Sequence, residues 1–221
     1  MLPVAGAPFL AHVVAFLRRQ GVTRFLFLTG YLGEQVARYF QARPERGLEY
    51  DFIQEERLLG TGGAVRAALA RRGMRERFLL LNGDSLCPFD LDAFLAAGAA
   101  GGGAILSVRV EDGGRYGRLD ADARGRLRAF REKAATSGPA LINSGIYCLA
   151  PELFDDFPPD QPASIERDYF PLWLAAGSTF NVVPVDGPLL DIGTPESLAQ
   201  AEPFLRRALG RRPAKARGSP P

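Results

Sequence analysis

Phe78-Leu79-Leu80-Leu81-Asn82-Gly83-Asp84-Ser85 is the stretch whose reading decides the fold. Four apolar residues in a row, stopped by Asn-Gly-Asp, predict a buried strand that ends in a polar turn. The segments on either side read as helices. The strand is therefore expected in a mainly parallel sheet with helices on both faces. Such sheets bind ligands outside the carboxyl ends of their strands, which puts the Asp84 carboxylate at the mouth of a crevice. Aspartate after glycine also serves as a turn cap, and this stretch alone does not separate the two roles.

Upstream of it, Met1 to Pro8 reads as irregular, with Pro8 fitting the first turn of a helix. Phe9, Leu10, Val13, Val14, Phe16 and Leu17 follow a helical period up to Gly21. Strands are expected at Phe25–Leu28 and Tyr50–Ile53, helices at Gly33–Phe40 and from Gly60 to Ala70. A helix from about Asp90 to Ala99 follows the central strand. This alternation predicts a doubly wound α/β layer. Beyond Gly101-Gly-Gly103 the texture changes. Strands at Ile105–Val110, Arg118–Asp120, Leu127–Phe130 and Ile142–Leu149 suggest an antiparallel or mixed portion. A helix over Ile165–Ala176, a strand over Phe180–Val185 and a short strand ending at Asp191 complete the pattern. Thr194 is the expected N-cap of a last helix that begins at Pro195.

The composition is that of an ordinary soluble globular protein, 47% hydrophobic and 24% charged over 221 residues. One domain is expected from residue 1 to about 208, followed by a disordered basic tail over 209–221. The tail reads as solvated, with phosphate binding the less favoured alternative. A net charge of +2 is too small to argue for nucleic acid. Cys87 and Cys148 lie far apart with no CxxC or Cys/His cluster, which argues against a zinc site or disulfide scaffold. No membrane-length apolar run and no signal peptide are present, so a cytoplasmic location is expected. His12 is the only histidine, which excludes most histidine-based triads. It is expected to be a packed or half-exposed helix residue.

Several short motifs carry possible chemistry. In Gly60-Thr61-Gly62-Gly63-Ala64 the glycines allow close approach to a flat or anionic ligand, and free amides at the helix start can donate to it. A tight turn with no ligand fits equally well, and no Lys-Ser or Lys-Thr follows to make a P-loop. Asp84 and Asp191 each end an apolar strand. Facing one crevice they would repel by about 1 kcal/mol at 4 Å in water, a cost that a divalent cation removes. Mg²⁺ takes one or two carboxylates and completes its octahedron with phosphate and water. Two separate helix-start caps are the alternative. Glu132-Lys133 offers a sugar-hydroxyl acceptor beside a phosphate-binding cation, or else a surface ion pair. Asn143 and Gly145 stand inside a strand, where both are disfavoured. A glycine there signals close approach of a ligand or another backbone. Arg115-Tyr116-Gly117 opens the next hairpin, where it could close the sugar side of the crevice.

Taken in order, these segments resemble the sugar-1-phosphate nucleotidyltransferases over nearly the whole chain, from Met1 to about Leu205. The carriers are Leu59-Gly-Thr-Gly-Gly-Ala64, Asn82-Gly-Asp84, Glu132-Lys133, Ile142-Asn-Ser-Gly-Ile-Tyr147 and Asp191-Ile-Gly-Thr-Pro195. Gly-Thr-Gly-Gly-Ala together with Arg115-Tyr-Gly117 looks most like the D-glycero-D-manno-heptose 1-phosphate guanylyltransferase branch. Mannose-1-phosphate and MurNAc-1-phosphate enzymes are near relatives of that branch. The resemblance implies a Rossmann-like, doubly wound mixed sheet with a small antiparallel sugar-binding portion. It implies transfer of a nucleotidyl group from an NTP, GTP in that branch, to a sugar 1-phosphate, giving an NDP-sugar and pyrophosphate. It further implies Mg²⁺ on Asp84 and Asp191, and a nucleobase held by Gln54, Gly60, Thr61, Gly62 and Gly63. The sugar would lie on Tyr116, Gly117, Glu132 and Asn143, with Lys133 on its phosphate.

Met1-Leu-Pro-Val-Ala-Gly looks like the segment just after the family's Pro-Lys-Pro. The family's opening strand and its Gly-x-Gly-Thr-Arg loop are not in this sequence. The expectation is therefore that Met1 is an internal methionine of a longer native protein. Without that loop, activity would be weak or absent, and the strands flanking the first strand's place would lack a partner. A non-catalytic nucleotide- or sugar-phosphate-binding relative is the rival reading. The nucleobase, the sugar and any homo-oligomer are left open.

Overall fold

In the computed structural model, which describes residues 1–114, 116–131 and 138–210, the chain opens with a tight hairpin. Its strands are β1 (Pro3–Val4) and β2 (Ala7–Pro8). Ala5 and Gly6 both have positive φ, the backbone hand that a two-residue hairpin needs. This opening is thus ordered rather than irregular. Pro8 is the N-cap of α1 (Phe9–Arg18) instead of lying within its first turn. His12 on α1 is half-buried and its Nε2 bonds the Val4 carbonyl oxygen at 2.8 Å, tying helix to hairpin.

Next come β3 (Arg24–Thr29), α2 (Gly33–Gln41) and β4 (Glu49–Gln54), with β3 and β4 parallel and in register from Arg24–Glu49 to Thr29–Gln54. Rings bind this unit: Phe27 stacks on Phe40 of α2 at 4.7 Å and on Phe52 at 5.3 Å. Helix α3 (Gly60–Arg72) leads to β5 (Phe78–Leu81) and then to the two-residue β6 (Ser85–Leu86). Helix α4 (Leu91–Ala97) is capped by Asp90, whose side chain accepts from the Ala93 amide at 2.9 Å. Strands β7 (Gly103–Val110), β8 (Arg118–Ala121), β9 (Leu127–Arg131) and β10 (Ala140–Leu149) follow. The expected single helix over 165–176 divides into a π-helical turn, Ile165–Tyr169, and α5 (Phe170–Ala175). The chain then forms β11 (Phe180–Val185), β12 (Leu190–Asp191), α6 (Pro195–Ala199) and α7 (Ala201–Gly210). The expected tail begins within the last turn of α7, and its residues 211–221 lie outside the described residues.

The main sheet runs β11-β7-β10-β8-β9, with β5 also on β10. Only the β11–β7 pair is parallel. The expectation of a mainly parallel setting for Phe78–Leu81 is therefore corrected: β5 pairs antiparallel with β10, Leu81 opposite Ile146 and Phe78 opposite Leu149. Strand alternation sorts the core onto two faces. Leu79, Leu81, Leu106, Ile146 and Cys148 face a cluster with Phe9, Phe16 and Phe94 from the helices of one side. Phe78, Leu80, Ile105, Tyr147 and Leu149 face the other cluster, built with Val65, Phe154, Phe170 and Trp173.

Strands β3 and β5 contribute to the same two clusters yet do not bond to each other. Among the described residues, β3 bonds only β4 and β5 bonds only β10 along its other edge. The consequence shows in burial. Every residue of β5 is only half-buried, whereas Ile146 to Leu149 beside it are fully buried. A four-residue apolar run with helices on both faces would ordinarily be buried throughout.

Candidate active site

The central carboxylate is positioned by two very short strands. Past the end of β5, β6 pairs antiparallel with β12, Ser85 opposite Asp191 and Leu86 opposite Leu190. The ladder continues one residue further, where the Ile192 amide donates to the Asp84 carbonyl at 2.9 Å. Leu86, Leu190 and Ile192 are buried and anchor the pairing in the core. Asp84 stays exposed and Asp191 half-exposed. The Ser85 hydroxyl donates to Asp84 Oδ1 at 3.1 Å, and the Gly193 amide to Asp191 Oδ1 at 2.6 Å. Neither carboxylate caps a helix. Asp90 caps α4, and Thr194 caps α6 through a reciprocal capping box with Ser197. Asp84, in the turn before β6, and Asp191, at the end of β12, therefore both lie just past the carboxyl end of β5, where the crevice was expected.

That donor set suits a hard, oxygen-seeking cation. Among the described residues no cluster of three or more His, Cys, Asp or Glu exists that could enclose a metal. Two solvent-facing carboxylates leave most of a coordination shell to phosphate and water, the arrangement Mg²⁺ prefers over all-protein cages. Burial pushes the Cys87 thiol up to about 12, and burial raises Cys148 as well, so neither is a thiolate nucleophile at neutral pH.

Asn143 is brought beside this end of β5 by an irregularity in β10. Between Asn143 and Tyr147 the register with β7 slips, leaving extra residues on β10. The Ser144 hydroxyl fills the gap by donating to the Leu106 carbonyl at 2.8 Å. Gly145 takes φ +73° there, and a Cβ on it would lie 2.4 Å from Asn82 Nδ2. The Asn82 amide donates to the Gly145 carbonyl at 3.0 Å. What Gly145 admits is thus the Asn82 side chain, at the head of the Asn82-Gly83-Asp84 turn. Asn143 uses its Oδ1 to accept from the Gly145 amide at 3.1 Å and its Nδ2 to donate to the Tyr147 hydroxyl at 2.7 Å.

The glycine-rich stretch is helical from Gly60 onward, and its packing corrects one expectation. The Gly62 and Gly63 amides are not free: both donate to the Ala163 carbonyl, at 2.9 and 3.2 Å. A Cβ at Gly62 would come within 2.9 Å of the Tyr169 ring, and one at Gly63 within 2.5 Å of the Gln161 carbonyl oxygen. Their smallness lets the 161–169 segment press against α3. Thr61 remains exposed at the head of the helix.

Gln54 is exposed at the end of β4, close to the start of α2. A cavity of about 450 Å³ opens beside it, with a floor of Leu28, Ile53, Leu59 and Ala64 and charged Glu55 and Arg57 at its edge. Gly117 and Tyr116 are half-buried, and the Gly117 carbonyl accepts from the Asn143 amide at 2.9 Å, fixing the start of β8 to the bulge. Glu132, Lys133 and Arg115 lie outside the described residues. Glu132 and Lys133 directly follow β9.

Glu166 is a residue that local sequence patterns do not single out. It stands in a charged helical segment beside Arg167 and Asp168, and the Ser164 cap before it is the only local cue. In the fold its carboxylate accepts from Tyr147 at 2.9 Å and from Ser164 at 2.9 Å, with Thr61 Oγ1 at 3.4 Å. Burial, then the charge of Glu166, holds the Tyr147 phenol well above its ordinary range. Among the described residues, no helix is long and apolar enough to cross a membrane.

Comparison with known proteins bears out the resemblance to sugar-1-phosphate nucleotidyltransferases. The mannose-1-phosphate guanylyltransferase of Mycobacterium tuberculosis is 31% identical over 217 residues, spanning 97% of this chain and 60% of that protein. The chain thus covers less than two thirds of that relative's length. The D-glycero-alpha-D-manno-heptose 1-phosphate guanylyltransferase of Campylobacter jejuni is 28% identical over 199 residues, 89% of this chain and 85% of that one. The fold matches the crystal structure of HddC from Yersinia pseudotuberculosis complexed with GMP-PN. That match has a TM-score of 0.81 and 31% identity, over 91% of this chain and 87% of that chain. The mixed, Rossmann-like sheet is the architecture these relatives share. The family model for nucleotidyl transferases matches residues 1–208, and the chain belongs to that family.

Proposed function

We propose that this protein transfers a nucleotidyl group from an NTP, with GTP the favoured donor, to a sugar 1-phosphate of the heptose or mannose type. The products are an NDP-sugar and pyrophosphate. An oxygen of the sugar phosphate forms a new bond to the α-phosphorus of the NTP, and the α–β bridging P–O bond breaks with its electrons leaving on pyrophosphate. The observation that supports this reading is the β6–β12 pairing, in which Asp191 lies opposite Ser85 and the Ile192 amide bonds the Asp84 carbonyl just past the end of β5. GTP is favoured because the similar curated proteins are guanylyltransferases and the similar HddC structure contains GMP-PN.

Asp84 and Asp191 would hold Mg²⁺, which when bound neutralises charge on the phosphates that such transfers must bring together. The protein's own part is positioning. Gln54 and the helix head from Gly60 to Gly63 take the base edge. With the Gly62 and Gly63 amides committed to Ala163, Thr61 and the backbone of Gly60 are the polar groups left to do so. Asn143, Gly117 and Tyr116 take the sugar. Glu132 and Lys133, just past β9, take a sugar hydroxyl and the sugar phosphate.

The test is pyrophosphate release by the protein in its full natural length, with Mg²⁺, each of the four NTPs, and a heptose or mannose 1-phosphate. Release with GTP, lost in Asp84→Asn, is the expected result. Binding of both ligands with no release from any pair would overturn the transferase reading in favour of a binding protein.

A further inference from the structure

Thr61 and Asn143 lie 82 positions apart in sequence, and under the function proposed above one serves the nucleotide and the other the sugar. A continuous chain of hydrogen bonds joins them. Thr61 Oγ1 lies 3.4 Å from Glu166 Oε2 and accepts the Ile165 amide at 3.0 Å. Glu166 Oε1 accepts the Tyr147 hydroxyl at 2.9 Å, and that hydroxyl accepts Asn143 Nδ2 at 2.7 Å. The donors and acceptors balance along the chain. Each hydroxyl has one proton, and Thr61, Ser164 and Tyr147 can each give theirs to the acceptor-only carboxylate. Tyr147 is fully buried, so its hydroxyl has no water to replace Glu166. Asn143 is thereby held in one flip state, its oxygen on the Gly145 amide and one N–H on Tyr147. Its second N–H is left for a ligand.

Glu166 sits in a π-helical turn, the kind of irregularity that places a side chain where a regular helix would not. Ser164 fixes it from below, donating to Oε2 at 2.9 Å while accepting the Arg167 amide at 3.2 Å. The same 161–169 segment is seated on α3 by the small Gly62 and Gly63. A shift of the helix head is thus transmitted to the turn bearing Glu166.

We propose that Glu166 is a positioning residue that couples the nucleotide half of the site to the sugar half, through Thr61 on one side and Tyr147–Asn143 on the other. This rests on the nucleotidyl-transfer reading for the identity of the two ligands, and not for the coupling itself.

The test combines kinetics with a readout independent of turnover. With GTP and a heptose 1-phosphate, Glu166→Gln is expected to raise both KM values about tenfold. Tyr147→Phe should raise KM for the sugar phosphate and Thr61→Val that for GTP. In the Glu166→Gln background both single effects should largely vanish, the non-additivity of residues acting as one unit. Glu166→Asp, which keeps the charge, should restore part of the loss. Separately, Thr61→Val should shift the side-chain amide NMR signal of Asn143, and that shift should be absent when Glu166 is Gln. A full-length wild type that binds both ligands yet releases no pyrophosphate from any NTP and sugar-phosphate pair overturns the transferase reading, and the NMR arm then decides the coupling alone. Additive kinetic effects, or an Asn143 signal that ignores Thr61→Val, overturn the coupling.

Discussion

The Ile192 amide donates to the Asp84 carbonyl at 2.9 Å, and this single backbone bond extends the β6–β12 ladder to the acid that ends the central turn. The backbone, not the carboxylates, therefore holds Asp84 and Asp191 together. Asp84→Asn and Asp191→Asn should leave the fold intact and slightly relieve repulsion, about 1 kcal/mol at most for such a pair in water. Transfer should fall by about 10²–10³-fold, the usual cost of losing one electrostatic stabiliser. Thermal melts with and without MgCl₂ check the assignment. Mg²⁺ should raise the wild-type melting temperature and do so far less in either variant, since only bound ligand stabilises. Equal stabilisation of all three would exclude this pair as the site.

Gly145 is predicted to be a sensitive glycine near the site. Its φ of +73° and the 2.4 Å approach of Asn82 leave no room for a Cβ. Gly145→Ala should cost about 1–3 kcal/mol in backbone strain and about as much again from overpacking. Urea unfolding reads the sum. Because Asn82 leads directly into Asp84, activity should also drop at urea concentrations where the variant is still folded. A midpoint equal to wild type would mean that the bulge relaxes freely.

What could be read in the sequence follows from what is local. The runs Phe25–Leu28, Tyr50–Ile53 and Phe78–Leu81 announce strands because apolar β-formers stand between turn residues, and all three strands are present. Thr194 and Pro195 announce a helix start through capping chemistry that needs only neighbours. The antiparallel partner of β5 was not legible, since pairing with β10 joins residues more than sixty positions apart and leaves no mark on the periodicity of either strand. The glycines of α3 illustrate the same limit. Their smallness is evident, but whether a ligand or Ala163 uses the space depends on a segment about a hundred residues downstream. Glu166 had only the Ser164 cap as a local cue, for the contacts that define its role are to the distant Thr61 and Tyr147.

The open edges of β3 and β5 make a measurable pattern in hydrogen exchange. The Asn82 amide bonds to Gly145, so alternation along the antiparallel pair turns the Leu80 amide toward β10 and those of Leu79 and Leu81 away from it. In a protein consisting of these 221 residues, Leu79 and Leu81 should exchange far faster than Leu80, although all three are equally half-buried. Local exposure of this kind sets exchange at the low end of the protein's stability range. Uniform protection across the strand would show that both edges are paired.

Asp122 supplies the acid dependence of the β8–β9 hairpin. Its carboxylate is held below the ordinary aspartate range first by the Arg126 amide, then by the Arg124 amide and the Arg128 guanidinium. The amide bonds are 2.9 Å each and the guanidinium contact is 2.7 Å. A depressed carboxyl contributes stability above its unfolded pKa of about 3.9, and loses it as pH falls through the lower folded value. Asp122→Asn should therefore weaken the hairpin at pH 7, where the wild type carries the charge and the variant does not. The difference should close once the pH has fallen through the lowered folded value, when both side chains are neutral. Backbone exchange at Gly125 and Arg126, measured at pH 7 and in acid, reads it directly. A difference that persists unchanged in acid would mean that side-chain shape, not the carboxylate charge, holds the turn.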